Sequence, residues 1–196
     1  DPTAATKPKQ ALWTYTQLGG FYWAGAYAHG DYVLVGTDDG QSGYTSATAN
    51  LLVFDKTSGE VVDSKTGYVG DIRSNVSYDA ATDRVYFTSK GGHFYSEQID
   101  WTSGKIKTDA SKDINLGGMS TSTPVVYKGR AYVGVSGSGQ FTVGSGHHIA
   151  VLDLTSWTVA YTANTKGYPQ TSGLLSTAYE AETGDVYVYF MDNYTP

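Results

Sequence analysis

The sequence predicts an all-β fold: a β-propeller of four-stranded antiparallel blades, with about three and a half blades present as a partial ring. Three observations carry that expectation. First, a unit of apolar strand, aspartate, turn and second strand recurs as LLVFDKTSGEVV (51–62), YSEQIDWTSGKI (95–106) and IAVLDLTSWTVA (149–160). Second, four apolar strands open at turn signals placed at Gly30, Asp83, Gly129 and Gly184, an irregular period of roughly fifty residues. Third, the composition of 24 Gly and 17 Tyr with only 16% charged residues favours strands and tight turns over helices.

Each repeat reads as strand a, tight turn, strand b, variable loop, strand c, aspartate turn, strand d. The a strands are YWAGAYA (22–28), SNVSYDA (74–80), STPVVY (122–127) and LLSTAYE (174–180). The b strands are HGDYVLVGT (29–37), TDRVYFTSK (82–90), KGRAYVGVS (128–136) and TGDVYVYFM (183–191). Short strands separated by Gly-marked hairpins indicate an antiparallel meander. The b strands are apolar along nearly their whole length, as a strand buried on both faces requires.

The aspartate turns are punctuation between strands c and d. Asp55, Asp100 and Asp153 are placed to accept from the N–H groups of the residues that follow. Gly59 and Gly104 supply the positive φ of a hairpin with a bulge. The third copy has Trp157 where glycine is expected, so that turn is expected to differ in geometry. One such meander has two apolar faces and needs a neighbour on each, which is the logic of blades stacked around an axis. Small Ser74, Ser77, Thr121, Ser122, Ser176 and Thr177 at the a-strand starts fit a crowded centre.

The segments VLVGTDDG…LLVFDKTSGEVV, VSYDAATDRVYFTSKGGHFYSEQIDWTSGKI and STPVVYKGRAYVGVSGSG resemble the repeat of pyrroloquinoline-quinone-like (quinoprotein alcohol dehydrogenase-like) propellers. Thr123–Pro124–Val125–Val126, Asp39–Gly40 and Asp55…Gly59–Glu60 carry the match, and ALWTYTQLGG (11–20) is similar to the last strand of a preceding blade. Residues 1–10, polar and Pro-containing, read as a flexible lead-in, and the resemblance implies a propeller over 11–196. Its blades span 21–64, 72–109 and 119–162, with an incomplete one at 174–196. The resemblance also implies a longer ring, so that two halves associating head to tail, or further blades outside this chain, would close it. The alternative is a small four-bladed ring in which LWTYT (12–16) supplies the outer strand of the fourth blade. The family includes quinone-dependent dehydrogenases, assembly factors that bind client strands, and surface proteins.

A formal net charge of -6 and a pI near 5.0 leave no basic stripe for phosphates, which excludes nucleic acid as the expected partner. No apolar run is long enough to cross a bilayer. Cysteine is absent, which removes disulfides, zinc–thiolate sites and thiol nucleophiles. No GxSxG and no phosphate loop is present, and adjacent His147 and His148 would point to opposite faces of a strand. The expectation is therefore no catalytic residue, no metal and no cofactor; pyrroloquinoline quinone with calcium would need carboxylate ligands that are sparse here.

The expected role is an exported or bacterial cell-surface platform that binds carbohydrate, peptide or protein. The loops joining b to c (38–50, 90–92, 136–148) and d to a (64–71, 111–118, 164–173) gather on one face, where propellers bind ligands. Tyr44, Phe141 and Tyr168 on these loops, with Tyr22, Trp23, Arg73 and Met119 near the a-strand starts, are the candidate ligand-binding rim.

Overall fold

The computed structural model describes residues 10–41, 44–137 and 146–194. The first blade is formed by β1 (Tyr27–His29), β2 (Tyr32–Gly36), β3 (Ala49–Asp55) and β4 (Val61–Tyr68), each antiparallel to the next. The second blade begins with β5 (Ser77–Asp79), β6 (Arg84–Thr88) and β7 (His93–Glu97). The third is β11 (Val125–Tyr127), β12 (Arg130–Val135), β13 (His148–Asp153) and β14 (Thr158–Asn164). The fourth unit pairs β15 (Leu174–Ser176) with β16 (Tyr187–Tyr189), joined through the single turn of helix α1 (Glu180–Thr183).

The second blade departs from the simple hairpin. Its aspartate turn lies in a small ribbon of β8 (Ile99–Asp100) and β9 (Lys105–Ile106). A 3-10 turn (Thr108–Ala110) then interrupts the chain before the outer strand β10 (Lys112–Asn115) pairs with β7. The stretch 111–118, expected as a loop, thus supplies the outermost strand. The extra residues form a local bulge that leaves the hairpin partners Ser96 and Lys112 in register.

Stacking follows from the two faces of the b strand. In β6, Val85 and Phe87 point into a cluster with Leu34, Leu51, Val53 and Tyr68 of the first blade. Tyr86, between them, points the other way, into a cluster with Ala131, Val133, Ala150 and Leu152 of the third. Successive residues on a strand face opposite sides, so one strand serves both interfaces. The joint between the first and second blades also holds a buried charge. Glu97 accepts from Lys65 Nζ at 2.6 Å, Tyr68 Oη at 2.9 Å and Ser111 Oγ at 2.5 Å. A carboxylate left unpartnered there would be strongly destabilising.

The three aspartate turns share one construction. Asp55 Oδ1 accepts from the N–H groups of Thr57 and Ser58, and Asp153 Oδ1 from those of Thr155 and Ser156. Asp100 accepts from the Thr102 N–H and the Ser103 hydroxyl. Gly59 and Gly104 sit at φ 75° and 71°. Trp157 sits at φ 57°, in the same left-handed region. The expectation of a different third turn is therefore corrected: the geometry is kept and tryptophan is forced into it. A ring contacts the turn in every copy. A Cβ on Gly59 would meet Trp13, and one on Gly104 would meet Tyr32, the first residue of β2. In the third copy the ring belongs to the turn itself and lies under Arg84, the first residue of β6.

Residues 10–26 form no strand, yet they cover the first blade. Trp13 stacks on Phe54 and donates from Nε1 to the Lys56 carbonyl, and Tyr15 meets Phe54 edge-on. β14, the outer strand of the third blade, is exposed along its length.

A candidate binding site where the b strands end

The b strands finish at the end of the sheets opposite the aspartate turns, and there the backbone ties successive units together. Asp38 N–H donates to Gly20 O, Lys90 N–H to Asp71 O and Ser136 N–H to Met119 O. Ile72 N–H donates to Thr37 O and Ser120 N–H to Ser89 O, joining each unit to the one before. Asp38, Lys90 and Ser136 thus occupy equivalent places, and all three are buried.

Around the first two of these lies a charged cluster. Arg73 reaches both oxygens of Asp38, at 3.1 Å from Nε and 2.6 Å from Nη2, and Nη2 is also 2.8 Å from Asp71. Lys90 Nζ lies 3.8 Å from Asp71 and 3.3 Å from the centre of the Tyr44 ring. Asp71 Oδ1 accepts from the Asp39 N–H at 3.1 Å, and Asp39 in turn accepts from Gln41 N–H and Ser46 Oγ. Burial raises the Asp71 pKa above the ordinary carboxylate value, aided by the charge of Asp38 and opposed by Arg73. Burial pulls Arg73 downward, but hydrogen bonds and charge from Asp38 and Asp71 more than offset it, and its pKa is raised.

The Arg73 guanidinium carbon stands 5.3 Å from the centre of the Tyr22 ring and 5.2 Å from that of Trp23, within cation–π range of both. Those rings are 59% and 60% exposed, so they form a surface supported from below by a fixed cation. Trp23 and Tyr44 hold φ of 61° and 57°, conformations that side chains other than glycine seldom take. Two clefts adjoin at Arg73. One of about 430 Å³ is walled by Gly19, Asp38, Gln41, Tyr44 and Asp71, and the other, of about 230 Å³, by Trp23, Asn75, Thr123, Gln170 and Ser172.

The structure therefore brings Tyr22, Trp23, Tyr44 and Arg73 together. It does not do so for two other candidates. Tyr168 is fully buried, with its hydroxyl accepting from Thr121 N–H at 2.7 Å and its ring stacked with His147. It seals the third and fourth units and presents nothing to a ligand. Met119 is also buried. It holds the place that Asp71 has in the second unit, and opposite the small, uncharged Ser136 an apolar side chain fills the space. Phe141 lies outside the described residues. Asp38, Asp71 and Lys90 were not singled out from sequence as binding residues, although their positions directly beside the b-strand ends recur in the repeats and mark them. Among the described residues no group of three or more His, Cys, Asp or Glu side chains is arranged to hold a metal ion. No helix among them is long and apolar enough to cross a membrane.

No family model matches the sequence, and no curated protein does. Solved structures do resemble the fold. A europium-containing methanol dehydrogenase superposes with a TM-score of 0.54 at 16% identity, over 82% of this chain and 27% of that one. The quinohemoprotein alcohol dehydrogenase ADHIIG from Pseudomonas putida HK5 gives 0.50 at 14% identity, over 79% of this chain and 21% of its own. The Dos1 propeller gives 0.51 at 16% identity, over 68% and 33%. At these identities the likeness establishes the propeller fold alone. The chain spans about a quarter of the length of the methanol dehydrogenase it resembles.

Proposed function

We propose that this propeller is a non-catalytic binding platform, exported or displayed at a cell surface, whose ligand seats where the b strands end. The observation that carries this reading is Trp23. A large aromatic ring is held exposed, on a left-handed backbone, over a guanidinium already fixed by two carboxylates. A residue held in such a backbone conformation costs of order 1–3 kcal/mol, and strain of this kind clusters at active sites and ligand clamps. Apolar rings with polar edges also give contact area at little entropic cost.

The neighbouring dehydrogenases carry the competing reading, a segment of a quinone-dependent enzyme. The fit to that cofactor is poor. The carboxylates gathered at this site are already engaged by Arg73 and approached by Lys90, so a calcium ion would have to displace cations that stabilise the buried acids. The test is a fluorescence and calorimetric screen of the protein against oligosaccharides, peptides, and pyrroloquinoline quinone with calcium. A ligand from either of the first two classes, weakened by Trp23→Ala, is expected. Saturable quinone binding with no response to the other classes would overturn the platform.

A further inference from the structure

The two clefts at Arg73 differ in chemistry, and that difference selects a ligand class. Resting on the platform reading above, we propose that the smaller cleft, between Trp23 and the Gln170–Ser172 segment, takes a neutral carbohydrate chain. Three features of its walls point there.

Charge comes first. The cleft has one ionic side chain, Arg73, and its charge is already met by Asp38 and Asp71 at 2.6 and 2.8 Å. An anionic or cationic ligand finds no uncompensated partner, and burying its charge there would be unfavourable. Backbone comes second. The Asn75 N–H donates to Thr123 Oγ1, the Thr121 N–H to Tyr168 Oη, and the Ser122 and Thr171 carbonyls accept from Thr88 and Ser122 hydroxyls. Several main-chain groups in and beside the walls are thus engaged by side chains, and none of the lining residues lies in a strand, so an extended peptide finds no regular strand edge to extend there. The side chains come third. Asn75 uses its carbonyl oxygen on the Gly25 N–H at 2.5 Å, and Gln170 uses its own on Asn193 Nδ2 at 2.8 Å. Those bonds fix both amides so that NH2 is the group left to donate. Thr123 Oγ1, already accepting, keeps its proton to donate. An aromatic face at one end and neutral amide and hydroxyl donors along the walls match a ring that is apolar on one face and hydroxylated at its edge.

The probes are neutral hexasaccharides of β-1,4-glucose, α-1,4-glucose, β-1,4-mannose and β-1,4-N-acetylglucosamine. Polygalacturonate serves as an anionic counterpart and a mixed extended-peptide library as the alternative class. Binding is read by calorimetry and by shielding from acrylamide, to which Trp23 should respond most, because the other three tryptophans are half-buried. At least one neutral hexasaccharide is expected to bind and shield Trp23. Trp23→Ala should weaken it about tenfold or more and Trp23→Tyr much less, while Gln170→Ala weakens it several-fold with circular dichroism unchanged. If Trp23→Ala does not fold, shielding of the wild-type protein and the Gln170→Ala loss still decide the matter. Peptide binding that depends on Trp23, with no saccharide bound, overturns the carbohydrate assignment and leaves the platform. Tighter binding of polygalacturonate than of every neutral chain overturns the neutrality argument. No binding from any class overturns both.

Discussion

Replacing Trp157 separates backbone strain from side-chain anchoring. At φ 57° a residue with a Cβ costs about 1–2 kcal/mol relative to an ordinary conformation. The half-buried indole offsets this through Lys112 Nζ at 4.7 Å and Arg84 at 5.6 Å from its centre, about 0.5–1 kcal/mol each. It also packs beside Phe94, for which partial burial adds about 1–2 kcal/mol. Trp157→Ala removes the ring and keeps the strain, so a loss of about 2–4 kcal/mol is expected. Trp157→Gly also removes the ring but relieves the strain, less about 0.5–1 kcal/mol for the extra freedom of the unfolded chain. Glycine should therefore be the better replacement by about 0.5–1 kcal/mol, the reverse of the usual order in regular structure. Equilibrium urea unfolding followed by circular dichroism, fitted with a shared m-value, measures the difference. Alanine equal to or better than glycine would refute the strain argument. Both variants within about 0.5 kcal/mol of wild type would refute the anchoring, since exposed surface changes fall in that range.

Other sites give further expectations. In Gly36→Ala the new Cβ would lie 2.1 Å from Ile72 Cγ2 and 2.6 Å from its Cβ, so overpacking of about 3 kcal/mol or more is expected. A double-mutant cycle with Ile72→Ala should show coupling between the two residues, and strict additivity would contradict the contact. Burial, with help from Glu97, pushes the Tyr68 hydroxyl well above its ordinary 10.0. The folded state then holds its proton longer than the unfolded chain. Stability from this group is complete below pH 10 and falls as pH rises beyond it, a loss that Tyr68→Phe should reduce in alkaline unfolding curves. Hydrogen bonds from Ser58, Ser103 and Ser156, chief among the causes, lower Asp55, Asp100 and Asp153 below their ordinary 3.8. Their contribution is present above that value and disappears as pH falls through the lowered ones, so the triple Asp→Asn variant should unfold with a flatter acid profile than wild type.

The propeller was legible because its determinants are local and repeated. Asp55, Asp100 and Asp153 announce turns by chemistry that acts within three residues, and the alternation in β6 needs only its own side chains to declare two buried faces. The interruption between Ile106 and Lys112 was not legible. A bulge that preserves register leaves no mark on an alternation this short. The candidate rim was legible in part for a related reason. Tyr22 and Arg73 occupy equivalent places just before successive a strands, with Trp23 next to Tyr22, whereas the inward turn of Tyr168 depends on Thr121, 47 residues away. Loop position fixes which end of the sheets a residue reaches. It does not fix whether the side chain faces solvent or the neighbouring unit.

Comparison of equivalent positions explains why the site is uneven. The repeat sets Asp38, Lys90 and Ser136 at the same point after successive b strands, with Gly20, Asp71 and Met119 opposite them. Opposite charges therefore follow the first two b strands, linked through Arg73, which pairs with Asp38 and Asp71, and through Asp71, which Lys90 approaches. In the third unit the same place holds a hydroxyl and a thioether. Identical backbone bonds thus frame an ionic cluster in the first two units and an uncharged pair in the third, and Trp23 stands beside Arg73 of the ionic cluster. Arg73 is met by the protein's own carboxylates. The cleft it shares with Trp23 is otherwise walled by the uncharged side chains of Asn75, Thr123, Gln170 and Ser172, so on the binding reading proposed above that is where new contacts would form.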